Sequence, residues 1–245
     1  MIYEHVETLT PERGATRIFA PVAYRAVRET QFAPVVHIEA LSLAAWFPLC
    51  WDMRGGRPRL VVLRSLLGDG VAQPPGSPQQ SASLPLALQA YPFVVGPVLD
   101  TRSQPYPALI DRAIADQPTD VGAPILMTDG RLGVGAQMRL RAAAAFDDAL
   151  RLTDAMTDEL AKRELFEPWP LRFDLGGDAS TAIEGMSVVR AESYGSEAVS
   201  AFIRAFGQAG AMLLGAHQLS LFRAGVLLQR ARAHVAAGAA ATAPA

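Results

Sequence analysis

Two prolines flank a tryptophan in Leu165-Phe166-Glu167-Pro168-Trp169-Pro170-Leu171, and no helix can run through that stretch. Pro168 and Pro170 have no amide proton to donate, and each biases the residue before it toward extended backbone. The segment therefore divides a helical pattern before it from a strand pattern behind it. Between Gln137 and Leu165, the apolar residues Met138, Phe146, Leu150, Met156 and Leu160 recur at helical spacing, with Arg, Asp and Lys on the opposite side. Behind the break, Leu171, Phe173 and Leu175 alternate with Arg172 and Asp174, which is the period of a half-buried strand. Gly176-Gly177-Asp178 predicts a turn, with Ile183 to Arg190 as the partner strand. Trp169 is expected in the core, where its ring sets how the two flanking elements meet.

The same reasoning places hairpins elsewhere. Residues 2 to 34 are expected to be irregular apart from a short strand near Arg17 to Phe19, and Val35 to Ala45 predicts a short helix that ends before Pro48. Phe47 to Met53 and Arg59 to Leu66 read as strands joined at Arg54-Gly55-Gly56-Arg57, with Pro58 at a strand start or edge. Strands are expected at Tyr91 to Val95 and Ala108 to Asp111, and Asp129-Gly130 predicts a hairpin between Pro124 to Met127 and Arg131 to Val134. Ser193 to Glu197 supplies N-cap residues for a helix from Ser196 to Phe206, after which Gly207, Gly210 and Gly215 permit a bend in the apolar segment up to Arg232. Short turns rather than crossover helices connect the strands. The fold class is therefore α+β: an antiparallel sheet built from hairpins, packed by a long central helix and C-terminal helices. One domain is expected over residues 1 to 235, with a mobile loop at 68 to 83 and a disordered Ala-rich tail at 236 to 245.

Composition closes several routes to function. The 22 basic and 24 acidic residues give a net charge of -2 with no long like-charge run, so no nucleic-acid partner is expected. A single cysteine, Cys50, excludes an internal disulfide framework and any multi-cysteine metal site, which fits a cytoplasmic location. Met1 to Thr10 carries Glu4, His5 and Glu7 where a classical export signal needs a basic head and an apolar run. Ala205 to Leu228 is interrupted by Gln208, His217, Gln218 and Arg223, so no transmembrane segment is expected there and the helix reads as buried.

No constellation amounts to a recognisable catalytic motif. His37-Ile38-Glu39 with distant His217 superficially offers a two-histidine, one-carboxylate iron site, which would make the chain an oxygenase. A helical reading of that stretch sets positions i and i+2 on different faces, so no metal or other cofactor is expected, and a metal-dependent enzyme using His37, Glu39 and His217 stands as the alternative to a binding protein. No G-x-S-x-G elbow occurs, and Cys50 lies in the apolar run Pro48-Leu49-Cys50-Trp51, as an inert thiol would. Asp147-Asp148 reads as a solvated helix face. Gly130-Arg131-Leu132-Gly133-Val134-Gly135 lacks the spacing that cradles a pyrophosphate.

The motifs as a set resemble the SapC family of bacterial proteins. Leu165 to Leu171 resembles its "L-L-x-P-W-P-L" segment, Ile183-Glu184-Gly185-Met186 its following "L-x-G-L" strand, and Gly210 to Leu221 its terminal helix. Glu39, Phe47-Pro48, Tyr91-Pro92-Phe93 and Ile110-Asp111 are similar to its "E-F", "Y-P-I-V-F", "R-R-Y-P-F" and "I-D" motifs, so the resemblance runs from about Arg17 to Leu228. Ala40 stands where the family has Phe, Phe47 where it has Tyr, and Gln89-Ala90 replaces its arginine pair. The resemblance implies an accessory or binding protein of surface-layer or nutrient-uptake biology, taking a peptide, a protein partner or a small apolar ligand. It marks Glu39, Tyr91, Phe93, Asp111 and His217 as candidate binding residues.

Overall fold

The computed structural model describes residues 2–10, 16–68, 84–95, 109–112, 114–118, 120–176 and 179–242. The loop expected at 68 to 83 lies, apart from Gly68, outside them. The strands in chain order are β1 Val6–Thr8, β2 Arg17–Ile18, β3 Phe32–Pro34, β4 Leu49–Asp52, β5 Arg59–Leu63, β6 Leu109–Asp111, β7 Ala123–Pro124, β8 Phe166–Pro168, β9 Leu171–Gly176, β10 Ala179–Ile183 and β11 Met186–Val189. The α-helices are α1 Arg25–Glu29, α2 Ala40–Ala44, α3 Leu86–Gln89, α4 Val134–Lys162, α5 Glu197–Ser220 and α6 Arg223–Thr242. Among the described residues strand pairing is antiparallel throughout, and the fold is α+β.

The chain forms two units, each assembled from two segments: Met1–Thr30 with Pro75–Leu150, and Gln31–Pro74 with Arg151–Ala245. In the first, β1 pairs with β6 and β2 with β7, as two small ribbons. Leu9, Ile18, Phe93, Ile110, Ile125 and Ala136 form their shared apolar core. The expected strand at Tyr91 to Val95 is reduced to one bridge, Phe93 to Ile110; it follows α3 and a cis Tyr91–Pro92 peptide. Around Asp129-Gly130 the hairpin narrows to a single bridge between Leu126 and Leu132, while Ala123–Pro124 pairs with β2 instead.

The second unit holds a five-stranded sheet in the order β3-β5-β4-β11-β8. The β4–β5 hairpin forms where expected, with Gly56 at φ 78° in its turn. The Pro-Trp-Pro segment is more than a stop signal: Phe166–Pro168 is the edge strand of this sheet, which is where a residue without an amide proton is tolerated. The Trp169 amide continues the pairing by donating to Met186 O at 2.8 Å. Its ring is only partly buried against the core of Cys50, Val61, Leu63, Leu171, Leu175 and Met186, so the core anchor expected there is misplaced. That role falls to Trp51, which is fully buried.

The partner expected for Leu171 to Leu175 also shifts. Strand β9 pairs with Ala179–Ile183, and the following Met186–Val189 leaves the hairpin to pair with β4 on one side and β8 on the other. Gly185, at φ 77°, turns the chain between these two strands.

Helix α5 is capped by Ser196, whose side chain accepts the Val199 amide, and it kinks at Gly207, where φ is 58° and ψ is −140°. Its buried side carries Leu213, Leu214, His217 and Ser220, whereas Met212 and Leu219 stay exposed, so the helix is buried along one side and not all round. Glu197–Gly238 is long and apolar enough to cross a membrane by length and composition, with a mean hydropathy of 1.3 over a window that is 33% buried within the protein. Helix α6 packs Leu227 and Ala231 against the β9–β10 hairpin, and it continues to Thr242 through most of the stretch expected to be disordered.

Candidate functional site

A polar arrangement in the first unit is centred on Asp111, the last residue of β6. Ordinary β1–β6 pairing carries the N-terminal segment past this position, with Val6 opposite Asp111. The Asp111 side chain is 97% shielded, and it accepts three hydrogen bonds: from the Glu4 amide at 3.0 Å, the His5 amide at 2.9 Å and the Tyr91 hydroxyl at 3.0 Å. Two consecutive backbone amides on the two oxygens of one carboxylate fix both the position and the direction of an extended chain. The main chain completes the clamp, since the Asp111 amide donates to Pro92 O and the Arg112 amide to His5 O.

Aromatic rings wall this carboxylate. Tyr3 stacks on Tyr91 at 6.0 Å with 9° between planes, and Tyr24 meets Tyr91 edge-on at 5.2 Å. Burial raises the Tyr91 phenol, and the adjacent Asp111 charge raises it further, so Tyr91 remains a donor at any physiological pH. Burial likewise pushes Tyr3 up to about 12. The Tyr3 oxygen accepts the Val95 amide at 3.1 Å, and Tyr24 accepts that of Phe19 at 3.1 Å. Phe93 is fully buried in the apolar core beneath. Tyr3, Tyr24 and the amides of Glu4 and His5 were not legible as site members, because each reaches Asp111 or Tyr91 through long-range packing and not through spacing.

Glu39 and His217 belong to the second unit and have different partners. Glu39 is buried, and its Oε1 accepts the Val36 amide at 3.0 Å, closing the start of the 3-10 turn at His37–Glu39. Thr153 Oγ1 takes the His37 amide at 3.0 Å and lies 2.9 Å from His37 Nδ1. His217 is fully buried with both ring nitrogens on main chain. Its Nε2 accepts the Val189 amide at 3.1 Å, which leaves the ring proton on Nδ1, donated to Leu49 O at 2.8 Å. Ser220, one turn on, accepts the Leu49 amide at 2.9 Å and donates to His217 O at 2.7 Å. Trp51 lies edge-on to the imidazole at 4.8 Å and donates its indole N–H to Thr157 Oγ1 at 3.2 Å. Burial drives His217 down to about 4, so the ring is neutral at physiological pH. These are pins that hold α5 to β4 and β11. With neither ring nitrogen of His217 presenting a lone pair to solvent, the iron-site reading has no supporting geometry. Among the described residues no three His, Cys, Asp or Glu side chains are grouped to hold a metal ion. Cys50 is fully buried, and burial raises its thiol far above the nucleophilic range.

Around Asp111 the carboxylate, the Tyr91 hydroxyl and the two amides engage one another, so the arrangement holds and orients the chain's own N-terminal segment. The model of the SapC family matches residues 14–205. The chain belongs to the SapC family. That match takes in Tyr91, Phe93, Asp111 and Glu39 of the SapC-like site residues and ends short of His217, so the similarity of the Gly210 to Leu221 helix lies beyond it. No curated protein and no solved structure matches the chain.

Proposed function

We propose that this SapC-family protein is a non-catalytic accessory protein of bacterial surface-layer or nutrient-uptake biology, and that it binds an extended peptide segment of a protein partner along β6. One observation carries the reading: the Asp111 carboxylate takes two consecutive main-chain amides of an extended segment that lies as a strand along β6. Here the chain's own Glu4 to Thr8 fills that place. Strand addition to an exposed edge gives affinity through the main chain and leaves side-chain choice to neighbouring walls, here Tyr3 and Tyr91. Under this reading the N-terminal segment is a placeholder that a partner's strand displaces. A cytoplasmic site of action belongs to the same proposal, supported by a single buried thiol.

The test is affinity capture from a bacterial lysate with wild-type protein and Asp111→Asn as paired baits. A partner retained by wild type and lost with Asp111→Asn, and recovered when residues 1–9 are removed from the wild-type bait, supports the reading. The same proteins on both baits, or none on either, count against it.

A further inference from the structure

A second surface, on the opposite kind of chemistry, is carried by the C-terminal helices. From Ala198 to Ala245 the chain has four arginines, Arg204, Arg223, Arg230 and Arg232, and not one aspartate or glutamate. The whole chain is nevertheless acidic, at -2, so its excess negative charge lies entirely before that point. The same segment exposes large apolar side chains. Met212 and Leu219, seven residues apart on one face of α5, are 44% and 66% exposed, and Phe222 in the turn that follows is 62% exposed. Gly215 sits between them with open space where a side chain would stand. Leu41 of α2, a helix that packs against α5, is exposed as well. The opposite face of α5 is committed to the sheet through His217 and Ser220, so the apolar side is not a core face waiting for this unit's own strands.

The geometry points to this face as a peripheral binding surface for an anionic lipid bilayer, with Met212, Leu219 and Phe222 entering the interfacial region and Arg223 meeting the headgroups. Apolar residues on one side of a helix with cations and no carboxylates beside them are what an interfacial helix requires. Arg223 illustrates the arrangement: its guanidinium lies 4.5 Å above the Phe222 ring, so the apolar body and the charge share one place at the end of α5. Arg204 is held by Glu197, and Arg232 donates to Asp174 O, which leaves the turn after α5 as the centre of the contact. A protein partner or a second copy of the chain would value the apolar residues but has no need of a segment, Ala198 to Ala245, that carries arginines and neither aspartate nor glutamate; an anionic bilayer uses both. The inference does not rest on the peptide reading of Asp111.

The test is co-sedimentation of the full-length protein with vesicles of phosphatidylcholine alone and of phosphatidylcholine mixed with phosphatidylglycerol, at low and high salt. Binding is expected to the anionic vesicles only and to weaken with salt. Leu219→Ser with Phe222→Ser is expected to weaken it by at least ~10-fold, and Arg223→Glu by roughly 10-fold, from the apolar area and the charge each removes. Leu219 and Phe222 are exposed and Arg223 is half-buried, and far-ultraviolet circular dichroism checks that each variant keeps its fold. No binding, or equal binding to both vesicle types, overturns the proposal. So does a dimer in light scattering that Leu219→Ser with Phe222→Ser dissociates, which would assign the face to a second copy.

Discussion

Acid should loosen this protein through one histidine. In the fold, His217 can take up a proton only by giving up the Val189 amide at Nε2 and placing a charge in a fully buried site, which is why it titrates at about 4 in place of 6.5. The unfolded chain binds that proton near 6.5, so between the two values the unfolded state carries more protons and stability rises with pH. The contribution is fully present above about 6.5 and is lost as pH falls toward 4. Linkage gives a loss of about 1 kcal/mol by about pH 5.5 and about 3 kcal/mol by about pH 4. Guanidinium unfolding midpoints across that range read it directly. Glutamine at 217 keeps an acceptor for Val189 but cannot titrate. His217→Gln is therefore expected to lose ~1 to 3 kcal/mol at neutral pH, by abandoning Leu49 O, and to show a shallower slope between 4 and 6.5. Other titrating groups are common to both proteins and cancel in the difference. Equal slopes for wild type and His217→Gln would refute the buried pin.

Trp51→Ala should cost ~3 to 5 kcal/mol in chemical unfolding, since it empties a fully buried site and strands Thr157, whereas Trp169→Ala, at a partly buried position, should cost ~1 to 2 kcal/mol. Reversal of that order would contradict the core assignment. Asp111→Asn should weaken the first unit by ~1 to 3 kcal/mol, because an amide group cannot accept all three donors, and hydrogen exchange at the Glu4 and His5 amides should accelerate. Unchanged exchange there would show that the clamp is not what orders the segment. Gly207→Ala should lose ~1 to 3 kcal/mol of thermal or chemical stability, since φ 58° with ψ −140° is a conformation few side chains tolerate; a neutral substitution would mean the kink relaxes freely. Cys50 should resist alkylation in the native protein and react only on unfolding, which a mass-spectrometric time course measures.

Local chemistry was readable in the sequence wherever neighbours in the chain decide the outcome. The Gly-Gly turn of β4–β5, the long period of α4, the Ser196 cap and the Gly207 bend all follow from residues within one turn of each other. Partners chosen across the chain were not. Met186–Val189 has the composition of a hairpin strand, yet it pairs with β4 and β8, and nothing in its own residues names either. The two prolines argued correctly for the end of a helix but carried no sign that Phe166–Pro168, leading into them, is the edge of a sheet. At the candidate site, Asp111 after an apolar pair and the Tyr91-Pro92-Phe93 run stood out, while the amides that Asp111 holds have no side-chain signature at all. Tryptophans offer the same lesson: Trp51 and Trp169 each sit beside proline-containing apolar runs, and only the sheet order decides which is enclosed.

The position of β11 sets a timetable for synthesis. Its Met186 touches Cys50 of β4, 136 positions earlier in the chain. As the polypeptide leaves the ribosome, β4 and β5 can close on each other at once over their short turn. The other edge of β4, with Leu49, Cys50 and Trp51 all destined for the interior, has no strand to meet until Met186 emerges. At ordinary rates of translation that interval is on the order of 10 s, long enough for an open apolar edge to find a neighbouring nascent chain. A polypeptide terminated before β11 would carry that edge permanently, and its fate would be association with other chains or capture by a chaperone.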